Sequence, residues 1–206
     1  MRISFKGIYN ASSQLKESNV PKDATKFNFD KNSESHIFNA YIFMLPIAIV
    51  ISLFVGISFL LHGYNRIGID SISSAPGFVL WIASLIAHEY LHGLCYGKGA
   101  TVEVYLLLER LVLFMSCAEP LSKYRYVFML LLPNVLLGIL PLMLWVAIPH
   151  SGYNSSVFNA LFTFSSLSLL AGCLDFFNCV MVMRNIPRGS MIQQSKNDLY
   201  WYYSAR

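Results

Sequence analysis

From Phe38 to Leu61 the chain carries no Asp, Glu, Lys, Arg or His. Three further apolar runs follow, at about 78–96, 127–148 and 157–182. At 1.5 Å of rise per residue these runs are roughly 28–39 Å long as helices, enough to cross a bilayer with some tilt. They predict an all-α membrane protein of four transmembrane helices. Only 13% of the 206 residues are charged and 55% are hydrophobic, with a mean hydropathy of +0.51. That balance excludes a disordered chain, a disulfide-stapled miniprotein and a nucleic-acid-binding tail protein. The expected organisation is a cytoplasmic N-terminal segment at 1–36, a four-span membrane domain at 37–185, and a cytoplasmic tail at 186–206. The first segment is polar and mixed in charge, which is not the pattern of a signal peptide.

Lys and Arg set an orientation. Six lie in the N-terminal segment, between Arg2 and Lys31. The first loop holds Arg66 alone and the stretch 151–156 holds none, whereas Lys98, Arg110, Lys123 and Arg125 lie between the second and third spans. Arg184, Arg188, Lys196 and Arg206 follow the fourth. Alternate connections are therefore basic, which predicts a multi-pass protein of the cell membrane with both termini cytoplasmic. The net charge of +4 then reflects topology and anionic headgroups, not nucleic acid. The connection at 101–117, TVEVYLLLERLVLFMSC, is too apolar for a solvated loop. Its weak alternation fits a short β-hairpin turning at Glu109-Arg110 or a re-entrant element, and an interfacial amphipathic helix fits as well.

The four runs contain only four ionisable residues of the Asp, Glu, Lys, Arg and His types: His88, Glu89, His92 and Asp175. A charged residue at mid-helix costs about 2.5–3.5 kcal/mol on insertion scales, so such residues mark function. His88-Glu89-Tyr90-Leu91-His92 is an H-E-x-x-H sequence, which puts two imidazoles on one helix face a turn apart. Asp175 adds the carboxylate that a three-ligand catalytic zinc site needs. Glu89 is placed to take a proton from water activated at such a site. Depth agrees: His92 and His88 lie roughly 9 and 15 Å, and Asp175 roughly 13 Å, from the cytoplasmic ends of their spans. Asn178, one turn beyond Asp175, either orients it or bonds between helices. The cysteines Cys95, Cys117, Cys173 and Cys179 form no C-x-x-C pair and fit buried thiols. The run Tyr200-Trp201-Tyr202-Tyr203 fits interfacial anchoring.

HEYLHG at 88–93, CAEPLSKYRYVFMLLLP at 117–133 and GCLDFFN at 172–178 resemble the bacterial "Putative zincin peptidase" family, small multi-pass membrane proteins long catalogued as a domain of unknown function. That family is distantly similar to the site-2 proteases, the intramembrane zinc metalloproteases. The resemblance implies Zn2+ bound by His88, His92 and Asp175, with Glu89 as the catalytic acid and base. Site-2 proteases carry Leu-Asp-Gly at the third ligand, where this chain has Leu174-Asp175-Phe176. The expected function is a membrane-embedded zinc metalloprotease that cleaves a membrane-associated protein or peptide near the cytoplasmic interface. The 101–117 element would hold an extended substrate by strand addition. Two other functions fit the same residues: a non-catalytic zinc-binding scaffold or regulator, and a proton-coupled transporter.

Overall fold

The computed structural model describes residues 2–9, 15–27, 33–62, 71–108, 112–148 and 155–204. Its helices are α1 (Ser33–Ile42), α2 (Met44–His62), α3 (Ser71–Leu94), α4 (Lys123–Pro133), α5 (Leu140–Ala147), α6 (Ser155–Ala171) and α7 (Cys173–Asn185). A π-helical stretch, Asn134–Ile139, joins α4 to α5. The strands are β1 (Arg2–Ile8), β2 (Thr25–Phe27), β3 (Thr101–Leu107), β4 (Val112–Cys117), β5 (Leu121–Ser122), β6 (Ser190–Ser195) and β7 (Asp198–Tyr203).

The all-α, four-span expectation is therefore corrected. Among the described residues the structure is 60% helical and also holds seven strands in two sheets. Among the described residues two helices, Phe38–His62 and Lys123–Ala147, are long and apolar enough to cross a membrane, which points to membrane association. They match the first and third apolar runs. The fourth run is a pair bent by 43° between Ser156–Ala171 and Cys173–Asn185, and counting it as one span gives three. Among the described residues the second run, α3, is not one of the helices that qualify.

The hairpin expected at 101–117 forms: β3 and β4 pair antiparallel, Val102 opposite Cys117 through Leu107 opposite Val112. The turn expected at Glu109-Arg110 lies outside the described residues. The N-terminal segment adds β1, parallel to β3, with Ile3 opposite Val102 and Phe5 opposite Val104. The sheet order β1-β3-β4 occupies both sides of β3, so strand addition to β3 has no edge to use. Within β3 Glu103 accepts the Tyr105 hydroxyl at 2.9 Å, and across the sheet it meets Lys6 Nζ of β1 at 3.3 Å. Burial first, then the Glu103 hydrogen bond and its charge, push the Tyr105 phenol up to about 12. The hydroxyl therefore stays a donor at ordinary pH.

The aromatic run read as an anchor is strand β7, which pairs with β6 and β2 in the sheet β2-β7-β6-β5. Aromatic residues favour strands, and Lys196 at φ 53° makes the tight turn between β6 and β7.

The chain divides into two compact units: residues 1–36, 86–132 and 178–206, and residues 37–85 and 133–177. In the first, Val102, Cys117, Met129 and Leu130 pack with Cys95 and Tyr96 beyond α3. A second core there packs Val182 and Ile186 of α7 with Ile192 and Leu199 of the sheet. Lys123 Nζ, itself buried, caps α7 by donating to the Met183 and Ile186 carbonyls at 2.9 and 2.6 Å. A cation suits that helix end because the terminal carbonyls lack partners.

In the second unit α2, α5 and α6 pack around Trp145 and Leu142, while α2 leaves Leu53, Ile57 and Leu60 exposed. Small residues bring α3 close to α6 at Gly77 and Ala160, as in membrane bundles. A Cβ on Gly77 would overlap the Ala160 carbonyl, whereas one on Gly56 meets nothing within 4 Å. Gly77→Ala should therefore destabilise the protein by about 1–3 kcal/mol through overpacking. Thermal unfolding in detergent checks this, with Gly56→Ala expected to melt like the wild type.

Candidate metal centre

His88 and His92 lie one turn apart near the C-terminal end of α3. Their rings meet edge to face with centroids 4.8 Å apart, so the spacing does bring both imidazoles to one helix face. His92 is buried at 6% exposure. Its Nδ1 lies 2.8 Å from the Met129 carbonyl oxygen in α4. A carbonyl can only accept, so Nδ1 carries the proton, and in the neutral ring the lone pair sits on Nε2. A backbone carbonyl of this kind is a common outer partner of a metal-binding histidine, fixing its tautomer and aim.

The local sequence explains why Met129 has a carbonyl to offer. In an α-helix it would accept the N–H of the residue four ahead. That residue is Pro133, which has no N–H. Proline inside the helix thus releases one carbonyl, and His92 takes it. Pro133→Ala supplies the missing N–H, and the helix should then compete with His92 for the carbonyl. Zinc affinity is expected to fall about tenfold, measured by competition with a chromophoric chelator. The His92 tautomer, read by nitrogen chemical shifts, should become mixed.

Asp175 stands in the first turn of α7, where the helix dipole favours a carboxylate. Asn134, the first residue of the π-helical stretch, donates its side-chain N–H to Asp175 Oδ2 at 2.9 Å. Asn134 is itself buried at 1% exposure. The sequence offers Asn178 equally as an orienting residue or an interhelical hydrogen bonder, and does not pair Asn134 with Asp175. The available signal was a buried amide directly after Pro133 in an otherwise apolar span. Gly172, at the break between α6 and α7, makes room for this amide, because a Cβ there would overlap Asn134 Oδ1. Gly172→Ala should push Asn134 off Asp175 and weaken zinc binding about tenfold or more. The same chelator competition measures it.

The four cysteines are free thiols. Arg125 Nε donates to the Cys95 carbonyl at 2.6 Å and so caps the turn that follows the histidine pair. Glu89 is half-buried and lines a cleft of about 410 Å³ bounded by α3 and the β1-β3-β4 sheet. Two imidazoles, one with a fixed tautomer, and a carboxylate oriented by an amide form the donor chemistry that zinc prefers. The residues fit that metal.

Residues 81–191 match the family model described as "Putative zincin peptidase". The chain belongs to this family. Membership in the zincin peptidases implies a metallopeptidase and zinc. The matched residues include both histidines, Glu89, Asn134 and Asp175. No curated protein and no solved structure gives a significant match.

Proposed function

We propose that this zincin peptidase is a membrane-embedded, multi-pass zinc metalloprotease. In this proposal His88, His92 and Asp175 hold the zinc, and Glu89 is the general base and acid. The single observation that carries the proposal is the locked His92 ring, because a carbonyl-bound Nδ1 leaves Nε2 as the nitrogen for a metal. The donor types support it further, because two imidazoles and one carboxylate are the ligands of a three-ligand catalytic zinc site. Basic residues at both ends and in the second connection favour cytoplasmic termini and cleavage near the cytoplasmic face.

Bound zinc would supply Lewis acidity at neutral pH. Glu89 takes the proton of the attacking water as its oxygen bonds to the scissile carbonyl carbon. It then delivers that proton to the amide nitrogen as the C–N bond breaks, so no net proton is consumed. His92 keeps its orientation through Met129, and Asp175 keeps its own through Asn134. The substrate is a membrane-associated protein or peptide.

Glu89→Gln should retain zinc and lower cleavage about 10²–10⁴-fold, the usual weight of a positioned acid–base group. Asp175→Ala should lose zinc itself. Metal analysis of the detergent-purified proteins beside a peptide-cleavage assay checks both. Wild-type protein that stays metal-free after zinc reconstitution would sink the proposal.

A further inference from the structure

Three cations from three segments gather where α3 ends. The chain leaves α3 at Leu94 and turns through Gly97-Lys98-Gly99 into β3, with the Ala100 N–H bonded to the Gly97 carbonyl at 3.2 Å. Gly99 takes φ 100° here, a conformation that glycine adopts freely, so Lys98 stands in a tight turn. From β1, the Arg2 N–H donates to the Ala100 carbonyl at 2.9 Å and sets Arg2 beside that turn. From α4, Arg125 Nε reaches the Cys95 carbonyl at 2.6 Å. All three residues are exposed.

These cations lack a counter-charge. Among the described residues the ion pairs are Lys6 with Glu103, Lys26 with Asp198 and Lys196 with Glu17. Glu119, exposed on the connection that follows β4, pairs with none of the three. A helix C-terminus favours a cation through its dipole, and the single bond from Arg125 Nε already serves that end. An Arg side chain has five N–H donors. The four on the terminal nitrogens remain, in a planar fork that matches a phosphate and is steadied by the bond to Cys95.

The surroundings identify the anion. Arg125 stands in the first turn of Lys123–Ala147, a helix long and apolar enough to cross a membrane. Tyr124 and Phe128 are 54% and 58% exposed. They lie four residues apart and Arg125 lies three from Phe128, so the three share one side of the helix. Exposed aromatic rings beside basic side chains at the end of a span match the headgroup layer of a bilayer, where anionic lipids attract Lys and Arg.

We propose that the end of α3 and the start of α4 form a binding site for the headgroup phosphate of an anionic phospholipid. Arg125 takes the phosphate with its terminal nitrogens, Lys98 and Arg2 add charge, and Tyr124 and Phe128 lie against the upper acyl chains. The site uses neither the zinc donors nor Glu89, so it stands apart from the proteolytic function. A bound headgroup tethers the turn that follows the histidine pair to the bilayer surface.

The test titrates the full-length protein in detergent micelles with phosphatidylglycerol or phosphatidylcholine and counts retained lipid by native mass spectrometry. Wild type should retain one phosphatidylglycerol at about tenfold lower concentration than phosphatidylcholine, or better. Arg125→Gln should remove most of that preference, and Arg125→Lys, which keeps the charge but not the fork, should restore only part of it. Lys98→Gln and Arg2→Gln should each lower it about fivefold, which keeps the test decisive if Arg125→Gln fails to fold. Lys26→Gln, which removes a cation already paired with Asp198, should bind like the wild type. Equal retention of the two lipids by the wild type overturns the site. So does an unaltered preference in the folded variants, or an equal loss in Lys26→Gln, which would reduce the effect to overall charge. Displacement of the lipid by inorganic phosphate at equal concentration would make the ligand a free anion and overturn the lipid assignment.

Discussion

The hydrogen bond between His92 Nδ1 and the Met129 carbonyl is the interaction on which the donor geometry depends. An imidazole can turn about two bonds and can protonate either nitrogen, so an untethered histidine offers a metal several arrangements. The carbonyl removes that choice. It is available only because Pro133 cannot complete the α-helical ladder at that point. The usual penalty for a proline inside a helix becomes, in a membrane-length helix, a supply of one oriented acceptor. Five residues further along the same helix Asn134 performs the corresponding task for Asp175. The helix Lys123–Ala147 thus supplies the hydrogen bonds that orient both His92 and Asp175.

Much of the chemistry was legible in the sequence because it is local or compositional. H-E-x-x-H needs only helical spacing to bring two rings to one face, and an acid in an apolar run stands out against its surroundings. The first and third apolar runs were legible for the same reason. The family match over residues 81–191 agrees with the resemblance seen in HEYLHG and GCLDFFN.

The rest depended on partners far away in the chain. β1 is a short alternating segment whose parallel partner begins at Thr101, and no periodicity within residues 2–8 names that partner. The tail looked like a membrane anchor because aromatic residues serve interfaces and strands equally well, and only the pairing of β7 with β6 and β2 separates the two. Asn134 was missed because its meaning lies in Gly172 and Asp175, which come together only through folding.

The π-helical stretch makes the chain sensitive to length as well as to residue identity. A π turn closes on the residue five ahead, not four, so Asn134–Ile139 holds what amounts to one inserted residue. Deleting Val135, Leu136 or Leu137 would let ordinary helical bonding resume without removing any side chain that orients a donor. Everything beyond it would rotate by about 100° around the helix axis. The faces of α5 that bury Leu142 and Trp145 would swing out of step with those of α4. Such a shortened chain would keep every motif and every apolar run, and a scan of substitutions alone would never reveal why it failed.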